Sequence, residues 1–340
     1  MSAYLAYTEQ RINAVPATEK LSVLEAQNRP YLDLDFYVTS ERLLDEAEAM
    51  CGTNKQALLH VQRERITVDS GLLGMWASLQ SKLPAGKTMP FDHEAILKRY
   101  AAMRLAQMEA FYSKNQLPEG KVALEKEVRK FRDIPLIEKI KAGKQPSAPV
   151  LRIPRLGDAA AAGDLAKVDW TKATTIRPWR TLYGIERPQR QIKGALAQDG
   201  KYLYFSLEET IELAKLSSAA DVFSGDDWEL FFAAQRSKPP YRQIGVNPDG
   251  KHSDYEWTRL GLGTDCAAWT NNAVVKSAVS NGQWQVKISV PLANLIPNGV
   301  KAGQPFYMNI FRGGADPICW SPVFDEGFHD LDHLAELTLE

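Results

Sequence analysis

The sequence is poor in the features that mark several large classes of protein. Its 41 lysine and arginine residues nearly balance 42 acidic residues, so the formal net charge is −1. Binding to a phosphate backbone needs a basic surface, and this balance therefore speaks against nucleic acid as a partner. No apolar run reaches the roughly 20 residues that a membrane-spanning helix needs. The N-terminus also lacks a basic stretch followed by an apolar core. We expect no membrane span and no export signal within this chain.

Cysteine is scarce, and the sequence motifs of common enzyme families are missing. There is no G-x-G-x-x-G, P-loop, G-x-S-x-G or H-E-x-x-H pattern, so nucleotide binding, serine hydrolysis and zinc proteolysis have no support. The three cysteines, Cys51, Cys266 and Cys319, cannot all pair, and none belongs to a C-x-x-C arrangement. A Cys266–Cys319 bridge and free buried thiols both remain open, and the pattern favours free thiols.

The first 141 residues have the spacing of amphipathic helices. Thr53, followed three residues later by Gln56, predicts a capping box at the start of a segment that forms one helix or two. Asp92 is placed to cap another helix, whose apolar face carries Ile96, Tyr100, Met103 and Phe111. The segments with this periodicity are 40–50, 53–76, 91–114 and 121–131.

From Val168 to Leu339 the pattern changes to short alternating strands, with a turn signal about every ten residues. Asp199-Gly200 lies between two alternating flanks in residues 193–209, which predicts a β-hairpin. Further alternating segments are 226–232, 241–251, 283–290, 305–312 and 333–339. A chain of such strands is typical of a sandwich.

Between the two halves, residues 142–164 are rich in proline, glycine and alanine and show no sustained periodicity, which predicts a linker. Residues 150–153 within it could add an edge strand to a neighbour. We predict an α+β protein of two domains. An all-α helical bundle over residues 1–141 and the linker over 142–164 are followed by an antiparallel β-sandwich over 165–340.

The second half resembles the family 9 carbohydrate-binding modules and their wider relatives. The resemblance covers about 170 residues and depends on the order and spacing of its motifs. These are VDWTKA (168–173), KYLYFS (201–206), DDWELFF (226–232), VNPDGK (246–251), GQWQVKISVPLANL (282–295), MNIFR (308–312), CWSPVF (319–324) and HLAELTL (333–339). Membership would imply a non-catalytic β-sandwich that binds mono-, oligo- or polysaccharides and is often attached to a glycoside hydrolase.

The resemblance implies an aromatic clamp in which two tryptophans hold a terminal sugar from both faces. Sugar C–H faces stack on aromatic rings, while the hydroxyls need directed polar partners. Carried over by position, the clamp residues are Phe223, three before the acidic pair 226–227, and Phe328, six before Leu334. Both are aromatic but neither is tryptophan, so each offers a smaller stacking face and no N–H donor.

The polar partners of the sugar carry over less evenly. Glu229 matches an acidic residue that would accept hydrogen bonds from hydroxyls, and Asp325 falls where a polar side chain is expected. Gly245 stands where the family has an arginine. Arg242 and Gln243 lie just upstream, and we include Arg242 in the predicted site.

Ordinary packing also explains many of the aromatic residues. Phe223 and Phe328 could be plugs at the end of a sandwich, and Trp228, Trp284 and Trp320 lie in strand-like segments that favour the core. Trp257 and Trp269 lie in a polar, loop-rich segment, where we expect them to be exposed. They form a second choice for the sugar-binding surface.

Catalysis and metal binding have weaker support. Asp226, Asp227 and Glu229 cluster in sequence, but Asp227 and Glu229 project from the same strand face, so we do not expect an acid/base pair. His329 and His333 have the spacing of helical metal ligands but lead directly into a strand.

No cofactor is expected to be required, although the resemblance allows for structural calcium near Asp169 or Asp249. Relatives of the sandwich in cytochromes bind haem through methionine and histidine. Met308 and His333 are the candidates here.

The helical half shows a fainter resemblance in residues 54–76. They are similar to the region that follows the catalytic barrel in an uncharacterised glycosidase-like family, numbered 4838 among domains of unknown function. This implies that the chain is the C-terminal, non-catalytic part of a longer bacterial enzyme that degrades polysaccharides, outside the cytoplasm, and that the barrel is a partner. The alternatives are an independent helical bundle of unknown role, and a structural module that braces the barrel and has lost sugar binding.

Overall fold

The computed structural model describes residues 1–16, 29–84, 86–157, 161–259, 266–325 and 327–340, except for the side chain of Leu213. The chain divides into two compact units, Met1–Ala142 and Gly143–Glu340. The first is helical and the second consists mainly of antiparallel strands, so the predicted fold class is confirmed. Within the described ranges, no helix is long and apolar enough to cross a membrane.

The first unit packs its helices around one apolar core. Leu44, Leu72, Leu73, Leu97 and Tyr100 are among its buried side chains. The helices are α1 (Ser2–Asn13), α2 (Leu34–Cys51), α3 (Lys55–Gly74), α4 (Trp76–Ser81), α5 (His93–Phe111) and α6 (Leu117–Ala142).

Side-chain caps fix the start of several helices and correct one prediction. Asp92 accepts a hydrogen bond from the Ala95 amide at 3.1 Å, which confirms it as the cap of α5. The predicted capping box of Thr53 and Gln56 is wrong, because Asn54 caps α3 by accepting from Ala57 N at 3.0 Å. Phe111, predicted on the apolar face of α5, is 65% exposed at the last residue of the helix.

The second unit is a sandwich of two sheets. The strands are β1 (Val150–Ile153), β2 (Thr174–Ile176), β3 (Arg180–Thr181), β4 (Gln191–Gln198), β5 (Tyr202–Thr210), β6 (Trp228–Ala233), β7 (Tyr241–Val246), β8 (His252–Trp257), β9 (Cys266–Ala268), β10 (Val274–Ser280), β11 (Gln283–Pro291), β12 (Pro305–Arg312), β13 (Ile318–Cys319) and β14 (Ala335–Leu339). The larger sheet has the order β1-β14-β12-β6-β7-β8-β9, with β13 pairing β12 and β3, and the smaller sheet has the order β10-β11-β5-β4-β2. One helical turn, α7 (Leu292–Leu295), follows β11.

The predicted hairpin is present as β4 and β5. Gly200 has a φ of +86°, which glycine adopts without the steric cost of a Cβ. The Asp199 carboxylate accepts hydrogen bonds from Lys201 N and Tyr202 N, and from the hydroxyl of Tyr204 at 2.6 Å. These bonds close the turn and tie it to the strand that follows.

Part of the segment predicted as a linker is strand. Residues Val150–Ile153 form β1, which pairs in parallel with β14. The chain passes directly from the end of α6 at Ala142 into the second unit.

Period-two alternation places the two faces of β6 in different surroundings. Trp228, Leu230 and Phe232 point into the core between the sheets. Glu229 and Phe231 point to the opposite face, where Phe231 joins a second apolar cluster with Leu331 and other residues. Trp284 and Trp320 also lie in the inter-sheet core, as predicted for both and for Trp228. The second face of β6 is the one that carries the candidate site.

Candidate functional site

A cavity of about 740 Å³ lies against the face of the larger sheet that is turned away from the inter-sheet core. Its sheet side is formed by side chains of β6, β7 and β8 together with Phe223. Its other side is formed by the described residues of segment 325–332. This volume falls in the range of ligand pockets for small molecules.

Glu229, on β6, belongs to the sheet side of this cavity. It is 6% exposed, and its neighbours across the strands are Phe311 on β12 and Gly245 on β7. Gln243 donates a hydrogen bond from Nε2 to Glu229 Oε2. Gln243 Oε1 in turn accepts a hydrogen bond of 2.8 Å from the indole Nε1 of Trp257. Both ends of the Gln243 amide are therefore used, which fixes the orientation of this side chain.

Two phenylalanine rings flank Glu229, one above each neighbouring strand. Phe223 belongs to a short 3-10 helix, Val222–Ser224, and its ring lies close over Gly245, where any side chain would collide with it. Phe328 stacks on Phe311 with ring centroids 4.5 Å apart and an interplanar angle of 13°. Strand spacing puts the backbones under the two rings roughly 10 Å apart.

Further aromatic side chains extend the wall of the cavity along β8. Tyr255 lies 6.0 Å from Phe223 and 6.1 Å from Trp257, measured between ring centroids. Trp257 makes an edge contact with His329 at 4.6 Å, and His329 Nδ1 is 2.7 Å from the hydroxyl of Tyr241. Burial lowers the pKa of His329 to about 4, so this imidazole is neutral at physiological pH.

Acidic groups dominate the polar lining. Asp325 and Asp332 are exposed at the rim, and Asp330 Oδ2 lies 2.9 Å from His333 Nδ1. Burial raises the pKa of Glu229 well above its ordinary value, and the nearby Asp227 charge raises it further. Burial also raises the pKa of Asp227 to about 7, against the opposing charge of Arg312.

The structure brings four of the five predicted site residues to one cavity. Phe223, Glu229, Asp325 and Phe328 all line it. Arg242 does not, because it lies on the opposite face of β7. There it donates to Glu256 Oε2 at 2.7 Å and to the carbonyl of Asn294. Gln243, one position along the strand, lines the cavity instead.

The two tryptophans of the second-choice surface, Trp257 and Trp269, lie in different parts of the sandwich. Both were expected to be exposed, and this is wrong: Trp257 is 9% and Trp269 is 8% exposed. Trp257 lines the cavity. Trp269 packs into the inter-sheet core, and the Arg242 guanidinium lies over its ring at 5.0 Å.

Sequence reasoning missed Tyr255 and His329 as lining residues. Tyr255 lies two residues before Trp257 on β8, so the alternation of that strand places both side chains on the same face. His329 comes from segment 327–332, and no local pattern predicts that this segment lies over β6, β7 and β8.

The residues considered for catalysis and for calcium binding have other partners in the structure. Asp226 accepts from Arg312 and from Ser217 N and does not line the cavity. Asp169 caps a short helical turn, and Asp249 accepts from Ser218 Oγ. Among the described residues no group of three or more His, Cys, Asp or Glu is arranged to hold a metal ion.

The haem and disulfide alternatives are likewise not supported. Met308 is buried in the inter-sheet core while His333 pairs with Asp330, so they do not form an axial pair. All three cysteines are free thiols, and Cys319 is buried near the Thr181 carbonyl.

Comparison with known proteins finds similarity at the level of fold. No family profile and no curated protein matches the sequence. Among solved structures, a protein described as carbohydrate-binding from Bacteroides uniformis is 13% identical. That match covers 57% of this chain and 100% of the other, with a TM-score of 0.43.

A family 9 carbohydrate-binding module from Caldicellulosiruptor kristjanssonii gives similar values. Its complex with glucose is 14% identical over 56% of this chain and 95% of that chain, with a TM-score of 0.41. Its complex with cellotriose is 14% identical over 56% and 93%, with the same TM-score. These matches cover the C-terminal, β-rich part of the chain. At TM-scores below 0.5, this likeness does not assign a ligand.

Proposed function

We propose that the second unit binds a saccharide in the cavity over β6, β7 and β8, without catalysing its hydrolysis. The observation that supports this most is the position of Glu229 between two aromatic rings, with Phe223 over Gly245 and Phe328 on Phe311. A pyranose ring presents apolar C–H faces and polar hydroxyl edges, and this arrangement offers a complement to both.

Each side chain then has a separate role. Phe223 and Phe328 provide stacking surfaces, and Glu229 accepts hydrogen bonds from hydroxyls at the floor of the cavity. Asp325 and Asp332 are placed at the rim to accept further ones. Tyr255 and Trp257 line the wall between these groups. Gln243 holds Glu229 in place and links it to Trp257.

The affinity of such a site is expected to be weak. Hydroxyl groups must leave water to enter it, and the gain from two phenylalanine faces is modest. We expect dissociation constants on the order of 0.1–1 mM for a single terminal sugar. Useful attachment to a polysaccharide would then depend on many chain ends or on a second binding module.

We further propose a setting in a longer bacterial enzyme that acts on polysaccharides outside the cytoplasm, in the periplasm or beyond the cell. This follows from the two sequence resemblances. In that setting the catalytic barrel belongs to another part of the protein, and this chain keeps the enzyme near its substrate. The alternative is a unit that braces the barrel and no longer binds sugar.

Calorimetric titration with glucose, cello-oligosaccharides and a panel of other neutral sugars tests the proposal. We expect saturable heat with at least one of them. Phe223→Ala and Phe328→Ala should each weaken binding about tenfold, because each removes one stacking face. Trp170→Ala is the matched control, since Trp170 is a partly buried aromatic residue near Lys287 and away from the cavity. Absence of heat with every saccharide at millimolar concentration would favour the bracing role.

A further inference from the structure

The lining of the cavity is unbalanced in charge. Four carboxyl groups line it, those of Glu229, Asp325, Asp330 and Asp332, whereas its described lining residues include no lysine or arginine. His329 is the only basic side chain among those residues. A neutral sugar needs hydrogen-bond acceptors and donors in similar number, but these side chains supply mainly acceptors.

Glu229 has one carboxyl oxygen left to bind a ligand. Oε2 accepts from Gln243, while Oε1 accepts no hydrogen bond from any residue that the structure describes. Glu229 is only 6% exposed, and it lines the cavity. Oε1 is open to the cavity, so a ligand bound there can supply a donor to it.

The groups around that oxygen suit a cation. The rings of Phe223 and Phe328 lie over Gly245 and Phe311, the two residues that pair with Glu229 on the neighbouring strands. Tyr255 and Trp257 continue the aromatic wall. The face of an aromatic ring is negative, so a set of such faces attracts an ammonium group, and a carboxylate among them adds a charge-assisted hydrogen bond. Arg242, which is next to Gln243 in sequence, could compete with a ligand cation for Glu229, but it lies on the opposite face of β7.

We propose that the cavity prefers a sugar with a free, protonated amine, such as a glucosamine unit, over neutral sugars, and that it rejects uronic acids. The ammonium donates to Glu229 Oε1 between the two phenylalanine rings. Asp325 and Asp332 at the rim add favourable potential for a cation and repel a uronate carboxylate. This inference rests on the proposed function, because it concerns the ligand class of the same site.

An ammonium group beside Glu229 should oppose the effect of burial on this carboxyl. Burial raises the pKa of Glu229, and a cation beside it favours the ionised form and lowers that pKa. The charged and titratable groups around Glu229 are Asp227, one residue before β6, Tyr255 on β8, and Asp325, His329, Asp330 and Asp332 on the covering side of the cavity. Gln243 and Gly245 on β7 and Phe311 on β12 do not titrate.

The test compares glucosamine, glucose, N-acetylglucosamine and glucuronic acid by calorimetry on the full chain at pH 6.5 and low salt. We expect glucosamine to bind about tenfold more tightly than glucose or the N-acetylated sugar, and glucuronic acid to give no detectable binding.

Glu229→Gln should bring the glucosamine-to-glucose ratio close to one, whereas Glu336→Gln, a carboxyl-to-amide change on β14, should leave it unchanged. If Glu229→Gln fails to fold, Asp325→Asn at the exposed rim should still lower the ratio severalfold. Equal or tighter binding of glucose, or a ratio that survives Glu229→Gln, would overturn the amine preference and leave saccharide binding standing.

Two further results have separate meanings. If none of the four sugars and no oligosaccharide binds, the proposed function fails together with the inference. If a peptide carrying trimethyllysine binds more tightly than any amino sugar, the cavity recognises ammonium groups but its ligand is not a saccharide, and the inference is overturned as stated.

Discussion

The ring of Phe223 lies directly over the α-carbon of Gly245. A Cβ at this position would come within 2.7 Å of the Cζ atom of the ring, closer than real contacts allow. A phenylalanine from another segment fills the space over this strand position, so the floor of the cavity is apolar at this point.

Gly245→Ala should therefore displace Phe223 and weaken saccharide binding. We expect a loss of about fivefold or more in affinity, with a cost in stability of about 1–2 kcal/mol because the added methyl group must be accommodated beside the ring. Titration calorimetry and urea unfolding measure the two effects. Gly157→Ala is the control, since a Cβ there meets nothing within 4 Å. Unchanged affinity in Gly245→Ala would show that Phe223 does not contact the ligand.

The pH dependence of stability should carry a contribution from Asp227. Its pKa is raised to about 7 in the folded protein by burial, whereas an unfolded aspartate titrates near 3.9. The folded state thus holds a proton that the unfolded state has lost, and this contribution to stability falls as the pH rises from about 4 to about 7.

Asp227→Asn should remove that slope and gain stability relative to the wild type at pH 8. Urea midpoints at pH 5 and pH 8 provide the measurement, and Asp249→Asn, at an exposed aspartate, is the control. A variant with the same pH slope as the wild type would show that Asp227 titrates normally.

His329 should act in the opposite direction. Burial lowers its pKa to about 4 from an unfolded value near 6.5. The stability that comes from keeping it neutral is present above pH 6.5 and is lost as the pH falls towards 4, because the unfolded state then binds a proton that the folded state does not. In His329→Phe, the decrease in unfolding free energy between pH 6.5 and pH 4 should be smaller than in the wild type. An unchanged decrease would contradict the burial of this imidazole.

The start of α3 offers a test in the helical unit. Asn54→Ala should cost about 1 kcal/mol, because it removes the side-chain acceptor for the Ala57 amide. Thr53→Ala is the matched control one position earlier and should change stability by no more than a few tenths of that. Thermal unfolding of the two variants compares them directly. A larger effect at Thr53 would restore the capping box that the sequence suggested.

The sequence predicts the elements well where local physics decides them. The turn at Asp199-Gly200 and the core positions of Trp228 and Trp284 follow from turn chemistry and alternation alone. The error at α3 is of the same local kind, because Thr53 and Asn54 are both good caps and only the path of the chain selects one of them.

The site is harder to predict because it depends on which face of its strand each side chain occupies, and on a segment that is distant in sequence. Arg242 and Gln243 are neighbours, and a shift of one residue moves a strand side chain to the other face. Only the pairing of β7 with β6 decides that Gln243, and not Arg242, meets Glu229. Trp257 is expected to be exposed from its polar neighbours in sequence, but His329 packs against it, and no local pattern predicts that contact.

The most direct test of saccharide binding in this cavity is the indole N–H resonance of Trp257, followed by NMR during a sugar titration. The eight tryptophans give a small set of indole signals, and Trp257→Phe assigns the one of interest. The Trp257 N–H donates to Gln243, which holds Glu229, so ligand binding at Glu229 should shift this signal in a saturable way. The signals of Trp228 and Trp284, buried between the sheets, should stay in place. A Trp257 resonance that does not move at saturating sugar, or a shift confined to Trp170, would contradict binding at this site.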